Sequence, residues 1–556
     1  MKIAIEVLAE QIHAEALHFG EFDVQPLGDG NSGEEADEGG CGCPQEELQS
    51  GVVVLALIVT GAYNGRMSEY SLSRRSFVGA VAGAAMAAND GWVELFDGTS
   101  LKGWTAAENP GTWKVANGLL VNDGPRSHLF HSETYKNFEA EVEVFAKPYC
   151  NSGLFFHTKY QEKNFPVKGF EIQVNNTALG EGTYRERKKT GSLYAVRNVY
   201  KQLVPDEEWF KMRVLVRGKN VQVWVNGVQT VDYTEPTPAV IPPGSIRERF
   251  IDQGVFALQG HDPTSKSMWR KIRVRRLADD AVAPGASASV VDDTFRKLIA
   301  LGAENYPMVD FHVHLKVGLD LPAAMARSFQ DGVYYGIAAN LGQGQPIADD
   351  AGAARFVASL KGMSAFVGMQ AEGREWVKMF SRPAVAKFDY VFSDSMTWTD
   401  NAGKRMRLWI PEEVGAISNV QEFMDTLVER TVGILEREPI DIYANPMFLP
   451  APLAGQWDEL WTEERLRKVV GAAVSNGVAM ELNNRYRLPG ERAVRMAKEL
   501  KCKFTFGSNN TGPADLRRCE YGIEMVEKCA LKWPDFWVPG AFAGKAVERK
   551  GGVLRG

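Results

Sequence analysis

From Gly91 onward apolar and polar residues alternate with a period of two. FEAEVEV at 138–144 sends Phe138, Ala140, Val142 and Val144 to one side and Glu139, Glu141 and Glu143 to the other. That is the pattern of a strand with one buried face. GFEIQVNN at 169–176 does the same, opposing Phe170, Ile172 and Val174 to Glu171, Gln173 and Asn175. In NSGLFFHTKY at 151–160, Leu154 and Phe156 oppose Phe155 and His157. Asn226-Gly227 separates two β-rich runs in VQVWVNGVQTVDY, which predicts a hairpin with a type I′ turn. Many short strands without a long helical pattern predict two packed antiparallel sheets over residues 89–282.

The small-residue stretch APGASAS at 283–289 predicts a linker over 283–295. Beyond it the period changes. Apolar runs (MVDFHVHL, YYGIAAN, SAFVGMQAE, YVFSDS, IDIYANP, VAMELNN, KFTFGSN) alternate with stretches apolar at helical spacing, such as VQEFMDTLVERTVGILE. This predicts parallel strands wound into an α/β barrel or open sheet over 296–556. In a barrel the carboxyl ends of the strands carry function. Those ends hold His312, His314, Asn340, Glu372, Asp394, Asn445, Glu481, Asn483, Asn509 and Asn510. His312 and His314, two apart on a strand, point the same way and can face one ion, although no histidine follows His314.

Composition narrows the classes. A chain of 556 residues, 45% apolar and 24% charged, suits two or three globular domains. A net charge of −7 and the lack of a basic tract argue against general nucleic-acid binding. Six cysteines form neither a zinc-ribbon pattern nor a disulfide framework; Cys41 and Cys43 fall in a stretch rich in Gly, Glu and Asp that reads as a disordered preamble, with metal binding by the pair as the alternative. VVVLALIV at 52–59 is shorter than the roughly twenty residues a membrane helix needs. In SLSRRSFVGAVAGAAMAAND, Arg74 and Arg75 precede an apolar run, and Ala85-Met86-Ala87 fits a small-x-small cleavage site. The segment 67–88 resembles a twin-arginine export signal, with Gly79 where a basic residue is commoner. That resemblance implies a periplasmic or extracellular protein whose translation starts at Met67, with 1–66 a non-native or disordered extension. The alternative is an internal apolar helix.

GWVELFDGTSLKGW at 91–104, NSGLFF at 151–156, GFEIQV at 169–174, TGSLY at 190–194, VWVNG at 223–227 and VFALQGH at 255–261 occur in this order. Together they resemble the 3-keto-disaccharide hydrolase family, also described as 3-keto-glucoside 1,2-lyase/3-keto-2-hydroxyglucal hydratase domains. The resemblance implies a concanavalin-like jelly-roll acting on an oxidised glycoside. His157 departs from the family pattern, where many members carry arginine. A ketone at C3 acidifies the C2 proton, so elimination of the C1 oxygen followed by hydration gives net hydrolysis. Such chemistry needs a base, an acid and a donor to the enolate oxygen. On the resemblance, His261 and His157 are candidate base and acid. Glu171 is a candidate base or metal ligand, and Gln173 fixes hydroxyls. Asn151, Tyr194 and Gln259 are candidate substrate contacts.

The second half resembles the PHP family of metallohydrolases, whose fold is a distorted seven-stranded barrel. DFHVHL matches its first motif, and Glu372 falls where a bridging glutamate is expected. Asn445 stands where that family has histidine before proline. GSNNTG resembles its last motif with both ligands absent, leaving Ser508, Asn509, Asn510 and Thr511. The resemblance implies at most one divalent ion, held by His312, His314 and Glu372 with Asp394 or Glu481; the alternative is an eroded site kept as scaffold or ligand pocket. The functional expectation is an exported hydrolase cleaving 3-keto-glycosides through the sandwich. A non-catalytic carbohydrate-binding sandwich that targets a metal-dependent hydrolase barrel is the alternative.

Overall fold

The computed structural model describes residues 91–177, 185–399, 403–540 and 544–556. The extension 1–66 and the export-like segment 67–88 lie outside them. Alternation turns directly into layers in the first half. An eight-stranded antiparallel sheet packs on a five-stranded one, and Phe138, Val142, Val144, Ile172, Val174 and Trp269 lie buried in the core between them. On the outer face Glu139, Glu141 and Glu143 meet a row of cations across neighbouring strands. Glu139 pairs with Arg213 and Arg275, Glu141 with Lys211 and Arg273, and Glu143 with Arg270 and Lys271. Asn226 and Gly227 both have positive φ, +48° and +82°, which is what a type I′ turn between Val225 and Val228 requires.

The five-stranded sheet runs Trp104–Ala106, Ser127–His131, Val255–Gly260, Asn151–Thr158, Phe170–Asn175. Leu154, Phe156, Phe170, Ile172 and Val174 point into the core. The opposite face holds the polar row, and it is largely covered: Glu171 is 6% exposed, Gln173 1% and Asn175 0%. Chain segments around 186–194, 245–249 and 261–264 flank and cover it.

The second half closes seven parallel strands into a barrel in chain order, from Val309–His314 to Phe504–Gly507. Each connection carries at least one helix, as in Val420–Arg437 and Glu463–Ser475. Inside the barrel the Tyr390 side chain lies against Gly336 and Gly368, where a Cβ would sit 2.3 and 2.4 Å from its hydroxyl, and it donates to the Phe311 carbonyl at 2.6 Å.

The two halves interlock. Val199 and Tyr200, from the segment covering the sandwich's polar face, join the apolar cluster of the barrel interior with Val309, Phe311, Tyr334 and Phe366. The Tyr200 hydroxyl donates to the Tyr306 carbonyl at 3.0 Å. Lys201 pairs with Asp389 at 2.7 Å, and Arg197 donates to the carbonyls of Phe329 and Gln330. The sandwich therefore closes the end of the barrel at which the strands begin. Tyr200→Ala should destabilise the protein by about 3 kcal/mol, the scale for truncating a buried aromatic. Denaturant unfolding followed by separate sandwich and barrel probes should shift both transitions together.

Candidate functional site

A cavity of about 810 Å³ opens on the polar face of the five-stranded sheet, within the size range of small-ligand sites, about 300–1,000 Å³. Asn151, Glu171, Gln173, Tyr194, Gln259 and His261 all line it. His157 does not. Strict alternation would set it beside Phe155, but the pairing with Val255–Gly260 slips between Val255 and Ala257, and His157 takes φ +53°. Its ring turns onto Phe138, which Phe156 also touches, each at 5.7 Å. Gly169 and Gly254 allow this distortion, since a Cβ at either would lie 2.4 Å or less from a carbonyl of the bulged strand. His157 Nε2 meets the Lys136 carbonyl at 2.8 Å, and burial lowers its pKa to about 4. It is a core histidine, and the acid role expected for it is corrected here.

Glu171 owes its setting to glycine. A Cβ at Gly153, on the neighbouring strand, would lie 2.5 Å from Glu171 Oε1, so the carboxyl occupies the space a side chain would take. Burial pushes its pKa up to about 8; Arg249 opposes this and Glu186 adds to it. At neutral pH Glu171 is mainly a neutral acid. His261 Nδ1 meets Asp262 Oδ2 at 2.7 Å. Burial works against ionisation of Asp262, but hydrogen bonds from His261, Thr264 and Ser265 outweigh it and hold the carboxyl well below the usual range. An ionised Asp262 fixes the proton on Nδ1 and leaves Nε2 as a base. Gln173 donates to Asn151 Oδ1 at 2.8 Å, while the carboxamide oxygens of Gln173 and Gln259 are buried without partners. Two such acceptors suit hydroxyl donors.

Four residues of this setting escaped the sequence reading. Glu186, which lines the cavity, accepts from the Tyr194 hydroxyl at 3.1 Å and pairs with the fully buried Lys188 at 3.2 Å. Arg249 holds the Tyr194 carbonyl. Neither lies on a strand, so no alternation marks it. His128 sits opposite Gln259 on the adjacent strand, with its pKa pushed down to about 3 by burial and by its neighbours His261 and Arg126. Asp262 follows His261 directly, and that adjacency was a usable signal.

In the barrel, His312, His314, Glu372, Asp394 and Glu481 are all buried at the strands' carboxyl ends. Their atoms are turned to one another and to amides. His312 Nδ1 meets Glu481 Oε1 at 2.6 Å, and its Nε2 meets Gln370 Oε1 at 3.2 Å. His314 Nδ1 meets the Ala338 carbonyl at 3.0 Å. Asn340 and Gln370 donate to Glu372, Asn445 to Asp394, and Asn483 to Glu481. Among the described residues no three His, Cys, Asp or Glu side chains are arranged to hold a metal ion. Of the set expected for one divalent ion, each carboxylate thus has at least one oxygen engaged by an amide donor.

The raised pKa of Glu171 fixes the sign of a stability effect. The folded state favours the protonated carboxyl, so the contribution is full below about pH 4.5 and is lost as pH rises towards about 8. Urea unfolding of the wild type and Glu171→Gln at pH 5 and pH 8 should show the wild type losing stability relative to the variant. Gly153→Ala should destabilise by roughly 1–3 kcal/mol through overpacking against Glu171, measured in the same titration.

Comparison with known proteins bears on the sandwich. Residues 91–275 match the model of a family described as 3-keto-alpha-glucoside-1,2-lyase-like domain. A 3-keto-disaccharide hydrolase of Bacteroides thetaiotaomicron is 25% identical over 173 residues, covering 26% of this chain and 59% of that protein. The chain thus spans less than two thirds of that relative. Among solved structures, a provisionally named glycosyl hydrolase of Parabacteroides distasonis is 21% identical, covering 38% of this chain and all of that one, with a TM-score of 0.30. A carbohydrate-binding module of Bacillus subtilis is 14% identical, covering 31% and 95%, with a TM-score of 0.23. At residues 91–275 the chain therefore carries a 3-keto-disaccharide hydrolase-like domain.

Proposed function

We propose that the sandwich cleaves glycosidic bonds of 3-keto-glycosides by elimination and hydration. The observation that carries this is one cavity holding both a carboxyl with its pKa near 8 and an imidazole held by a carboxylate. His261 Nε2 takes the C2 proton, and the electron pair passes into the C3 carbonyl as an enolate. The enolate reforms the ketone as the C1–O bond breaks, and neutral Glu171 protonates the departing oxygen. Water then adds at C1 of the unsaturated ketone and a proton returns to C2, so the net change is hydrolysis. The carboxamides of Gln173 and Gln259 accept sugar hydroxyls, with Asn151 orienting Gln173.

The same reading makes the barrel PHP-like in descent, its metal cluster replaced by amide–carboxylate pairs, and assigns it no hydrolytic step. It takes the protein to be exported, on the strength of the Arg74-Arg75 segment.

Incubation of the full chain with a 3-keto-disaccharide should consume substrate and pass through an unsaturated ketone visible by ultraviolet absorbance. Because Glu171 acts in its protonated form, kcat should fall as pH rises through about 8. Glu171→Gln should remove that limb and lower kcat by roughly 10²–10⁴-fold. A wild type that binds the sugar without consuming it would return the sandwich to the role of a carbohydrate-binding module.

A further inference from the structure

The helix Asp293–Ala303, which opens the barrel half, ends in a left-handed stop. Asn305 takes φ +76°, and Tyr306 N–H returns to the Leu301 carbonyl at 3.0 Å. Glycine is the usual residue at such a stop, because it adopts this φ without strain. Asparagine keeps the stop and adds a carboxamide, and here that carboxamide is buried, with the residue 1% exposed. It points away from its own helix, into the sandwich.

Its Oδ1 accepts the Arg187 backbone N–H at 3.1 Å, and its Nδ2 donates to the Arg185 carbonyl at 2.5 Å. The two groups lie on either side of Glu186, so one barrel side chain grips the peptide units flanking that residue. Arg187 adds a second tie by donating to the Phe536 carbonyl at 3.0 Å. Residues 185–189 have no helix or strand of their own, so Glu186 is held by single ties: the Asn175 carboxamide of the sandwich on its carbonyl at 3.2 Å, and Asn305 on the peptides at either side. Its carboxylate nonetheless meets Tyr194 in the sandwich cavity.

We infer that Asn305 is a positioning residue for the sandwich site: through the peptides on both sides of Glu186, and together with Asn175, it sets where the carboxylate that meets Tyr194 stands. The barrel thereby contributes to the site without touching the sugar. The inference rests on the reading of the cavity as the catalytic site.

Asn305→Gly in the full chain is the discriminating variant, because it keeps the helix stop and removes only the carboxamide. Hydrogen exchange followed by mass spectrometry should show faster exchange across 185–194 and no change across the barrel strand 479–483. On a 3-keto-disaccharide, kcat should fall by ~10-fold or more, the scale on which misplaced groups slow reactions, with KM moving less. Unchanged exchange across 185–194 overturns the inference whatever the turnover, and so does raised exchange with full turnover. A wild type without turnover sinks the proposed reaction, and the exchange pattern alone then judges Asn305. The two failures stay separate.

Discussion

The site depends on covering a polar sheet face with a segment that has no regular structure of its own. Glu171, Gln173 and Asn175 are buried because the chain around 186–199 lies over them. That cover makes Glu171 a weak acid, since an uncovered carboxyl would be solvated and titrate in the ordinary range. Such a cover must satisfy its own backbone groups. It does so against both neighbours: Thr190 N–H goes to Asn175 of the sandwich, while Arg187 N–H goes to Asn305 of the barrel. Burial, electrostatics and the interlock of the two halves are therefore one constraint.

At the carboxyl ends of the barrel strands the structure gathers buried acids, amides and imidazoles. Three carboxylates, Glu372, Asp394 and Glu481, converge there with His312 as an adjacent basic group. Burial works against protonation of His312, but Glu481 and the nearby Asp310 and Asp394 outweigh it and raise its pKa. Burial pushes Glu372 up to about 7, and its neighbour Asp394 adds to the rise. Where a cation would offset such a cluster, this chain has Asn340, Gln370, Asn445 and Asn483 as neutral donors. Their hydrogen bonds favour the ionised carboxyls, but burial outweighs them at Glu372 and Asp394 and raises both, whereas at Glu481 burial is outweighed by His312 and the carboxyl is held below its ordinary range.

Period-two alternation made the sandwich legible, down to which residues of GFEIQV face the cavity. The alternation of apolar runs and helical spacing made the parallel barrel legible. His157 was misplaced because alternation holds only while the ladder is regular, and the slip beside Val255 is a local event with two glycines as its faint trace. Glu186 and Arg249 were invisible because irregular segments carry no period. The interlock was hidden for a related reason. A small-residue linker at 283–289 argues for separable halves, whereas the contacts that join them come from Arg187, Val199 and Tyr200, residues that read locally as ordinary sandwich loop.

The strand carrying Glu171 is held by a continuous ladder with Asn151–Thr158, so that carboxyl is fixed by the sandwich alone. Glu186 stands on a segment anchored from both halves: the Asn175 carboxamide of the sandwich donates to its carbonyl, while the Asn305 carboxamide and the Phe536 carbonyl of the barrel hold its two neighbours. Local opening free energies follow the weakest set of contacts that must break. One carboxyl therefore keeps its place as long as the sheet does, and the other loses part of its support when the two halves separate. An arrangement that needs both is weakened by loss of that docking surface, however stable each half is alone.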